Sequence, residues 1–121
     1  MAKRLLIVDD EETLTFSLYQ SFILSDNDYE VITANSGDEA LTKIQDNPFD
    51  LIITDILMPG MSGIDLLKRV KNDFPRTEVV IMTAYGSSDR RDEVLKLGAR
   101  FYIEKPFEMK EFKKIVLDIL G

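Results

Sequence analysis

The sequence predicts an α/β fold, a single doubly wound sheet of five parallel strands with five helices on both of its faces. Five short apolar runs recur about every two dozen residues, and each is followed by a segment with the pattern and length of a helix. Strands that alternate with helices form parallel sheets through right-handed crossovers. A length of 121 residues is that of one domain, so we expect one domain over residues 1–121.

The five predicted strands lie at residues 5–8, 31–34, 51–53, 79–82 and 101–103. The first, third and fourth are continuous aliphatic runs, which is typical of strands that are covered on both faces. The second and fifth are flanked by charged residues, as edge strands often are. This contrast favours the strand order 2-1-3-4-5, one of the two common doubly wound arrangements.

The intervening segments predict helices at residues 11–24, 37–45, 63–74, 88–97 and 108–120. Pro48 and Pro75 follow the second and third helices, and Gly98 lies where a glycine commonly ends a helix, after the fourth. The first and last helices each carry an apolar stripe at helical spacing, formed by Leu14, Leu18 and Phe22 and by Phe112, Ile115, Val116 and Ile119.

The composition of the chain excludes several classes of ligand, catalytic group and metal site. Fifteen Lys and Arg against 22 Asp and Glu give a net charge of −7, which disfavours binding to nucleic acid or to anionic membranes. The absence of Cys and His excludes disulfides, thiol nucleophiles, imidazole bases and the usual zinc or copper sites. The first apolar run is too short for a signal peptide, and no stretch approaches a membrane span, so a cytoplasmic location is expected.

Polar residues converge at the carboxyl ends of the predicted strands, where ligands bind in doubly wound sheets. Asp9 and Asp10 follow the first strand, Asp55 the third, Thr83 the fourth and Lys105 the fifth. Each has a structural explanation when it is taken alone: acids cap helix starts, and the others suit a turn, a β-strand or a solvated surface. Their joint placement on neighbouring strand ends favours a functional site.

The charges of this group predict its chemistry. Two like charges about 4 Å apart repel by roughly 4 kcal/mol at an effective dielectric constant near 20, so clustered carboxylates favour a bound cation. Oxygen ligands select a hard ion, Mg²⁺ or Mn²⁺ in its place. A carboxylate-bound metal beside a lysine and a hydroxyl suits phosphoryl transfer, with a carboxylate as the covalent acceptor. Asp55 is the strongest candidate for that acceptor.

Four motifs make the chain similar to the receiver domains of bacterial two-component response regulators, and the resemblance extends over essentially its whole length. They are VDDE at residues 8–11, DILMPGMSG at 55–63, MTAY at 82–85 and EKPF at 104–107. The resemblance implies the flavodoxin-like receiver fold and a phosphoryl-accepting signalling switch. Such a domain is not a classical enzyme, since it catalyses only its own phosphorylation and slow dephosphorylation.

The resemblance also implies roles for individual residues. Asp55 would accept the phosphoryl group, and Asp10, Asp55 and the Leu57 carbonyl would bind Mg²⁺, with Asp9 acting mainly through water. Lys105 would pair first with Asp55 and then with the phosphoryl group. Thr83 would swing its hydroxyl toward the phosphoryl oxygens, and the Ala84 amide would donate another hydrogen bond to them. Tyr102 would rotate inward with this movement of Thr83, and the Lys105-Pro106 peptide bond would be cis.

The expected phosphodonor is a histidine of a sensor kinase or of a histidine phosphotransfer protein. On the first helix, Phe16, Tyr19 and Ile23 form a second apolar stripe, offset from the Leu14 stripe. We hypothesise that Phe16 and Tyr19, with Pro106 and Phe107 beside them, dock against the donor's helices. The structural alternative is that the stripe packs on a neighbouring helix. An output domain or a second receiver copy is a further expected partner, and the cognate kinase, signal and oligomeric state are not encoded in any visible motif.

Leu57 and Tyr85 lie two positions after Asp55 and Thr83, where family members flank the path of the hydrolytic water. Neither side chain is an acid or an amide that could orient that water. We therefore expect slower loss of phosphate than in relatives that carry such groups.

Three other readings remain open at the level of sequence. In a haloacid-dehalogenase-like phosphatase Asp9 would be the nucleophile, but the required acid pair after a fourth-strand lysine is missing. A flavodoxin-like FMN module would need a Ser/Thr/Gly-rich loop after the first strand, where this chain has four acids. A degenerate receiver that serves only as an interaction surface is disfavoured because every expected site position is filled.

Overall fold

The structure is a computed structural model that describes residues 2–23, 29–84 and 86–121. Its strands are β1 (Lys3–Val8), β2 (Tyr29–Ala34), β3 (Leu51–Asp55), β4 (Glu78–Thr83) and β5 (Phe101–Glu104). Its helices are α1 (Glu12–Ile23), α2 (Gly37–Asp46), α3 (Gly63–Asp73), α4 (Ser88–Lys96) and α5 (Met109–Leu120). The predicted end of the first helix at Leu24 lies outside the described residues.

The strands form one parallel sheet in the order β2-β1-β3-β4-β5, which confirms the predicted fold class and strand order. In the register of the central strands, Leu5 pairs with Leu51 and Asp55 with Met82. The carboxyl ends of β1, β3 and β4 therefore lie side by side at one edge of the sheet. None of the helices among the described residues is long and apolar enough to cross a membrane.

Two apolar layers cover the sheet, because successive residues of a strand point to opposite faces. Leu5 and Ile7 belong to a core beneath α1 and α5, whereas Leu6 and Val8 belong to a core beneath α2, α3 and α4. β3 is buried along its whole length, as the continuous aliphatic run predicts.

The three helices over the Leu6 and Val8 face of the sheet begin with the same kind of cap. Ser36, Ser62 and Ser87 each cap a helix, and each side-chain hydroxyl accepts a hydrogen bond of 3.1 Å from the backbone amide three residues later. These caps hold the starts of α2, α3 and α4, which follow the loops at the carboxyl edge of the sheet.

Candidate functional site

The structure brings the predicted polar residues together at the carboxyl edge of the sheet. Asp9 and Asp10 follow β1, Asp55 and Thr83 are the last residues of β3 and β4, and Lys105 follows β5. Asp9 and Thr83 have no exposed surface, and Asp55 retains 7%. Buried polar side chains of this kind occur where partners or ligands compensate for their lost hydration.

Lys105 joins two of the acids. Its Nζ lies 2.6 Å from Asp9 Oδ2 and 3.0 Å from Asp55 Oδ2, so one ammonium donates to both carboxylates. Glu11, which the sequence reasoning did not assign to the site, lies at 3.7 Å from the same Nζ. Lys105 therefore does not pair with Asp55 alone, and its shorter contact is to Asp9.

The backbone fixes the positions of these side chains. Asp9 Oδ1 accepts from the Glu11 amide at 2.9 Å, and Asp55 Oδ1 accepts from the Leu57 amide at 3.3 Å. After Asp55 the chain turns tightly, and the Gly63 amide donates to the Ile56 carbonyl at 2.9 Å. A Cβ at position 63 would clash with the Asp55 carbonyl, so only a glycine lets α3 begin this close to the acid.

Two pKa values are shifted in this group. Burial raises the pKa of Asp55, and it outweighs the opposing hydrogen bond and charge of Lys105. For Lys105, burial acts to lower the pKa, but the hydrogen bonds and charges of Asp9 and Asp55 outweigh it and raise the pKa overall. The lysine is thus held charged, whereas the Asp55 carboxylate is less stable as an anion than it would be in water.

The acid cluster has the donors of a metal site. One carboxylate oxygen each from Asp9, Asp10 and Asp55 lies within 4.8 Å of the others, and Asp10 is exposed to solvent. Only oxygen ligands are present, which suits a hard cation. One lysine does not neutralise three carboxylates, so the cluster could bind a metal ion.

The residues to which the resemblance assigns phosphoryl binding and switching surround this cluster. Thr83 is buried at the end of β4, and its carbonyl accepts from the Lys105 amide at 2.9 Å. Ala84 follows it and is exposed, and the Lys105-Pro106 peptide bond is cis. Tyr102 lies within β5 with 8% of its surface exposed, and its hydroxyl accepts from the Ser87 amide at 3.2 Å.

The four residues of the docking hypothesis line two separate depressions. Pro106 and Phe107 line one with Glu11, Leu14, Ala84 and Lys105, directly beside the acid cluster. Phe16 and Tyr19 line another with Thr33 and Asn35, on the side of edge strand β2, and the two depressions share no residue. The sequence placed Pro106 and Phe107 beside Phe16 and Tyr19, but the helical positions of Leu14 and Phe16 point in different directions. Leu14, assigned to the core, is the α1 residue that lines this depression with Pro106 and Phe107.

The second apolar stripe on α1 and the two residues expected beside the hydrolytic water can be compared with the structure only in part. Phe16 and Ile23 are 59% and 54% exposed, whereas Tyr19 is half-buried and packs against the core beneath α1 and α5. The structural alternative for this stripe therefore fits Tyr19 but not Phe16 or Ile23. Leu57 is 48% exposed beside Asp55. Tyr85 lies outside the described residues. The sequence reasoning missed Glu11, Gly63 and Ser87, of which Glu11 and Gly63 stand inside the motifs and could have been found there.

Comparisons with known proteins agree with this geometry. Residues 5–117 match the response regulator receiver domain family. The chain is 34% identical over 96% of its length to the response regulator protein FleR of Pseudomonas aeruginosa, and 36% identical over 96% to sporulation initiation phosphotransferase F of Bacillus subtilis. It spans only 24% of the first relative but 92% of the second.

Among solved structures, the chemotaxis protein CheY4 of Vibrio cholerae has a TM-score of 0.89 at 30% identity, with 99% of this chain and 100% of that chain covered. Matches to receiver domains over nearly the whole chain favour this family over the phosphatase and FMN-binding alternatives considered above. The chain therefore belongs to the response regulator receiver domains of two-component signalling, which are signalling switches and not classical enzymes.

Proposed function

We propose that residues 1–121 form one receiver domain that accepts a phosphoryl group on Asp55 from a phosphohistidine of a sensor kinase or a phosphotransfer protein. The observation that carries the proposal is the shared contact of Lys105 with Asp9 and Asp55, beside the cluster of three carboxylates. The acid at the end of the central strand is thereby accompanied by the positive charge that an incoming phosphoryl group requires.

In the reaction, a carboxylate oxygen of Asp55 forms a bond to phosphorus, and the bond between phosphorus and the donor's imidazole nitrogen breaks. The electron pair of that bond stays on the imidazole, which then takes up a proton. The chain has no His of its own, so the donor must come from another molecule. The acyl phosphate carries more negative charge than the carboxylate that it replaces, so this buried site depends on the nearby Lys105 ammonium to stabilise it.

The residues fit Mg²⁺, with Mn²⁺ able to replace it. Asp10, Asp55 and the Leu57 carbonyl would hold the ion, and Asp9 would act mainly through water. When bound, the ion supplies positive charge for the phosphoryl oxygens. Asp9 also holds Lys105 in place, since the Asp9 carboxylate is buried and lies 2.6 Å from the ammonium.

The other residues would respond to the new group. Lys105 would transfer one hydrogen bond from the Asp55 carboxylate to the phosphoryl group and keep the one to Asp9. Thr83 and the Ala84 amide would donate to phosphoryl oxygens, and Tyr102 would move with Thr83. A switch of this kind requires the phosphoryl group to favour one conformation by several kcal/mol.

The donor must reach Asp55, so we place its docking surface at the depression lined by Leu14, Pro106 and Phe107. The Phe16 and Tyr19 depression shares none of the residues around Asp55. The relatives that are several times longer than this chain support a further partner, either an output domain or a second receiver copy.

Phosphoramidate tests the proposal, because it is a small donor that carries the same phosphorus–nitrogen bond. With Mg²⁺ present, we expect the chain to gain one phosphoryl group, and borohydride reduction followed by peptide mapping should place it on Asp55. Asp55→Asn should abolish labelling, whereas Asp50→Asn, an exposed acid that hydrogen-bonds Arg4 far from the cluster, should leave it intact. Labelling of Asp9, or equal labelling with EDTA, would refute the proposal, and no labelling at all would support a degenerate receiver.

A further inference from the structure

The Tyr102 side chain is buried, and this inward position depends on Gly86, a neighbouring residue that has no side chain. Tyr102 reaches from β5 to the loop between β4 and α4, where the Ser87 amide donates to its hydroxyl at 3.2 Å. An added Cβ at Gly86 would clash with that same hydroxyl oxygen. The space that the Tyr102 hydroxyl occupies is therefore the space that a side chain at position 86 would fill.

The contacts of this added Cβ suggest why residue 86 is a glycine. The Tyr102 hydroxyl is the nearest of the three heavy atoms that the Cβ would meet, and the other two belong to the Glu104 carboxylate. The tyrosine therefore gives a steric reason for glycine at this position.

The second neighbour of an added Cβ is easier to move. The Glu104 carboxylate would lie 2.7 Å away through Oε1 and 2.9 Å through Cδ. Glu104 is exposed, so its side chain can rotate into solvent at little cost. The Tyr102 ring is packed in the core with Ile81 and Val94, and it can leave the hydroxyl site only by rotating out of that core or by displacing the loop.

We propose that Gly86 is a positioning residue for the switch: the absence of its side chain admits Tyr102 to the inward position, where the Ser87 amide holds it. The inference rests on the proposed function for one point, the role of Tyr102 in signalling. The steric dependence of Tyr102 on residue 86 stands without that role. A substitution at Gly86 then shifts the tyrosine outward and leaves the acceptor chemistry of Asp55 in place.

The test uses the full chain labelled with 3-fluorotyrosine and studied by fluorine NMR. Tyr102→Phe identifies the Tyr102 signal among the four tyrosines. In the native chain this signal should be protected from a soluble paramagnetic reagent. We expect Gly86→Ala to abolish that protection, and we expect Glu104→Ala to leave it unchanged.

A second measurement separates a steric requirement from general loss of structure. The urea midpoint should fall in Gly86→Ala, but Gly86→Ala combined with Tyr102→Phe should unfold at the same midpoint as Tyr102→Phe alone, because the clashing oxygen is gone. A Tyr102 signal that is equally protected in Gly86→Ala overturns the inference, and so does a midpoint loss that persists in the double variant. Failure of phosphoramidate to label Asp55 would overturn the proposed function and leave both of these results standing.

Discussion

Burial and the ammonium of Lys105 act in opposite directions on the pKa of Asp55. Burial dominates and raises the pKa of the carboxyl. The Asp55 anion therefore lowers the stability of the fold, because it is favoured less in the folded chain than in the unfolded one. Functional sites commonly retain such groups at the expense of stability.

This conflict predicts that Asp55→Asn stabilises the metal-free protein at neutral pH. A carboxyl with a raised pKa contributes stability below its ordinary value of 3.8, and that contribution is lost as pH rises through the higher pKa of the folded state. The advantage of the variant over the native chain should therefore be small near pH 3 and largest above the folded pKa. Urea unfolding with EDTA at both pH values measures it, and an advantage that is larger in acid would contradict the prediction.

We expect Leu57 to set the lifetime of the proposed acyl phosphate. Its exposed aliphatic side chain lies two residues after Asp55 and offers no hydrogen bond to an attacking water. We expect Leu57→Asn to shorten the lifetime about tenfold, less than the effect of a positioned acid or base, because an amide orients water without taking its proton. Loss of label after removal of phosphoramidate measures the rate, and Leu57→Met, which is also apolar, is the matched control. Equal lifetimes in all three proteins would show that another group governs the water.

At the level of elements, Arg4 fastens the amino end of β1 to its surroundings. Its guanidinium donates to the carbonyls of Asn47 and Pro48 at 2.8 and 2.7 Å, pairs with Glu30 at 3.1 Å and lies 4.2 Å from the centre of the Phe49 ring. One side chain thus ties β1 to β2 and to the loop before β3, at the end of the sheet opposite the acids. The planar fork of a guanidinium suits this set of partners better than an ammonium does.

Arg4→Ala should therefore lower the free energy of unfolding by about 2 kcal/mol, since hydrogen bonds to charged groups contribute about 1.5–3 kcal/mol and only 17% of the Arg4 side chain is exposed. Arg4→Lys should recover only part of this loss, because it keeps the charge but not the fork. The control is Arg69→Ala, which removes an exposed pair with Asp73 on α3 and should cost about 0.5 kcal/mol or less. Urea unfolding would contradict the prediction if both alanine variants cost the same.

Across the whole molecule, repeating sequence patterns made the fold predictable. Contacts between residues that lie far apart in the sequence could not be predicted in this way. Continuous aliphatic runs identified β1, β3 and β4, and polar residues at strand ends identified Asp9, Asp55 and Lys105. The sheet order brings such residues together without any detail of side-chain packing. The clash that makes Gly86 necessary depends on a side chain sixteen positions later in the chain, and no local pattern carries that information.

The docking surface shows the same limit on α1. Helical spacing predicted two stripes on α1, of which Phe16 is exposed but Tyr19 packs against the same core as Leu14. The spacing did not reveal which stripe lies beside the loop after β5. The fold decides this, because α1 and α5 cover the same face of the sheet and the Leu14 side of α1 faces the Pro106 loop. We therefore expect a donor that approaches Asp55 to contact Leu14 and Phe107 before Phe16.

This arrangement predicts different effects for two aromatic residues. Phe107→Ala should slow transfer from a phosphorylated histidine protein by about tenfold or more, as expected for a buried aromatic at an interface. Phe16→Ala should have little effect on that transfer, and both variants should be labelled by phosphoramidate at the native rate because Asp55 lines neither depression. Phe107 also stacks on Phe112 with ring centres 5.0 Å apart, so thermal unfolding must show that the variant is folded. Slow transfer in Phe16→Ala with native transfer in Phe107→Ala would place the docking surface on the β2 side instead.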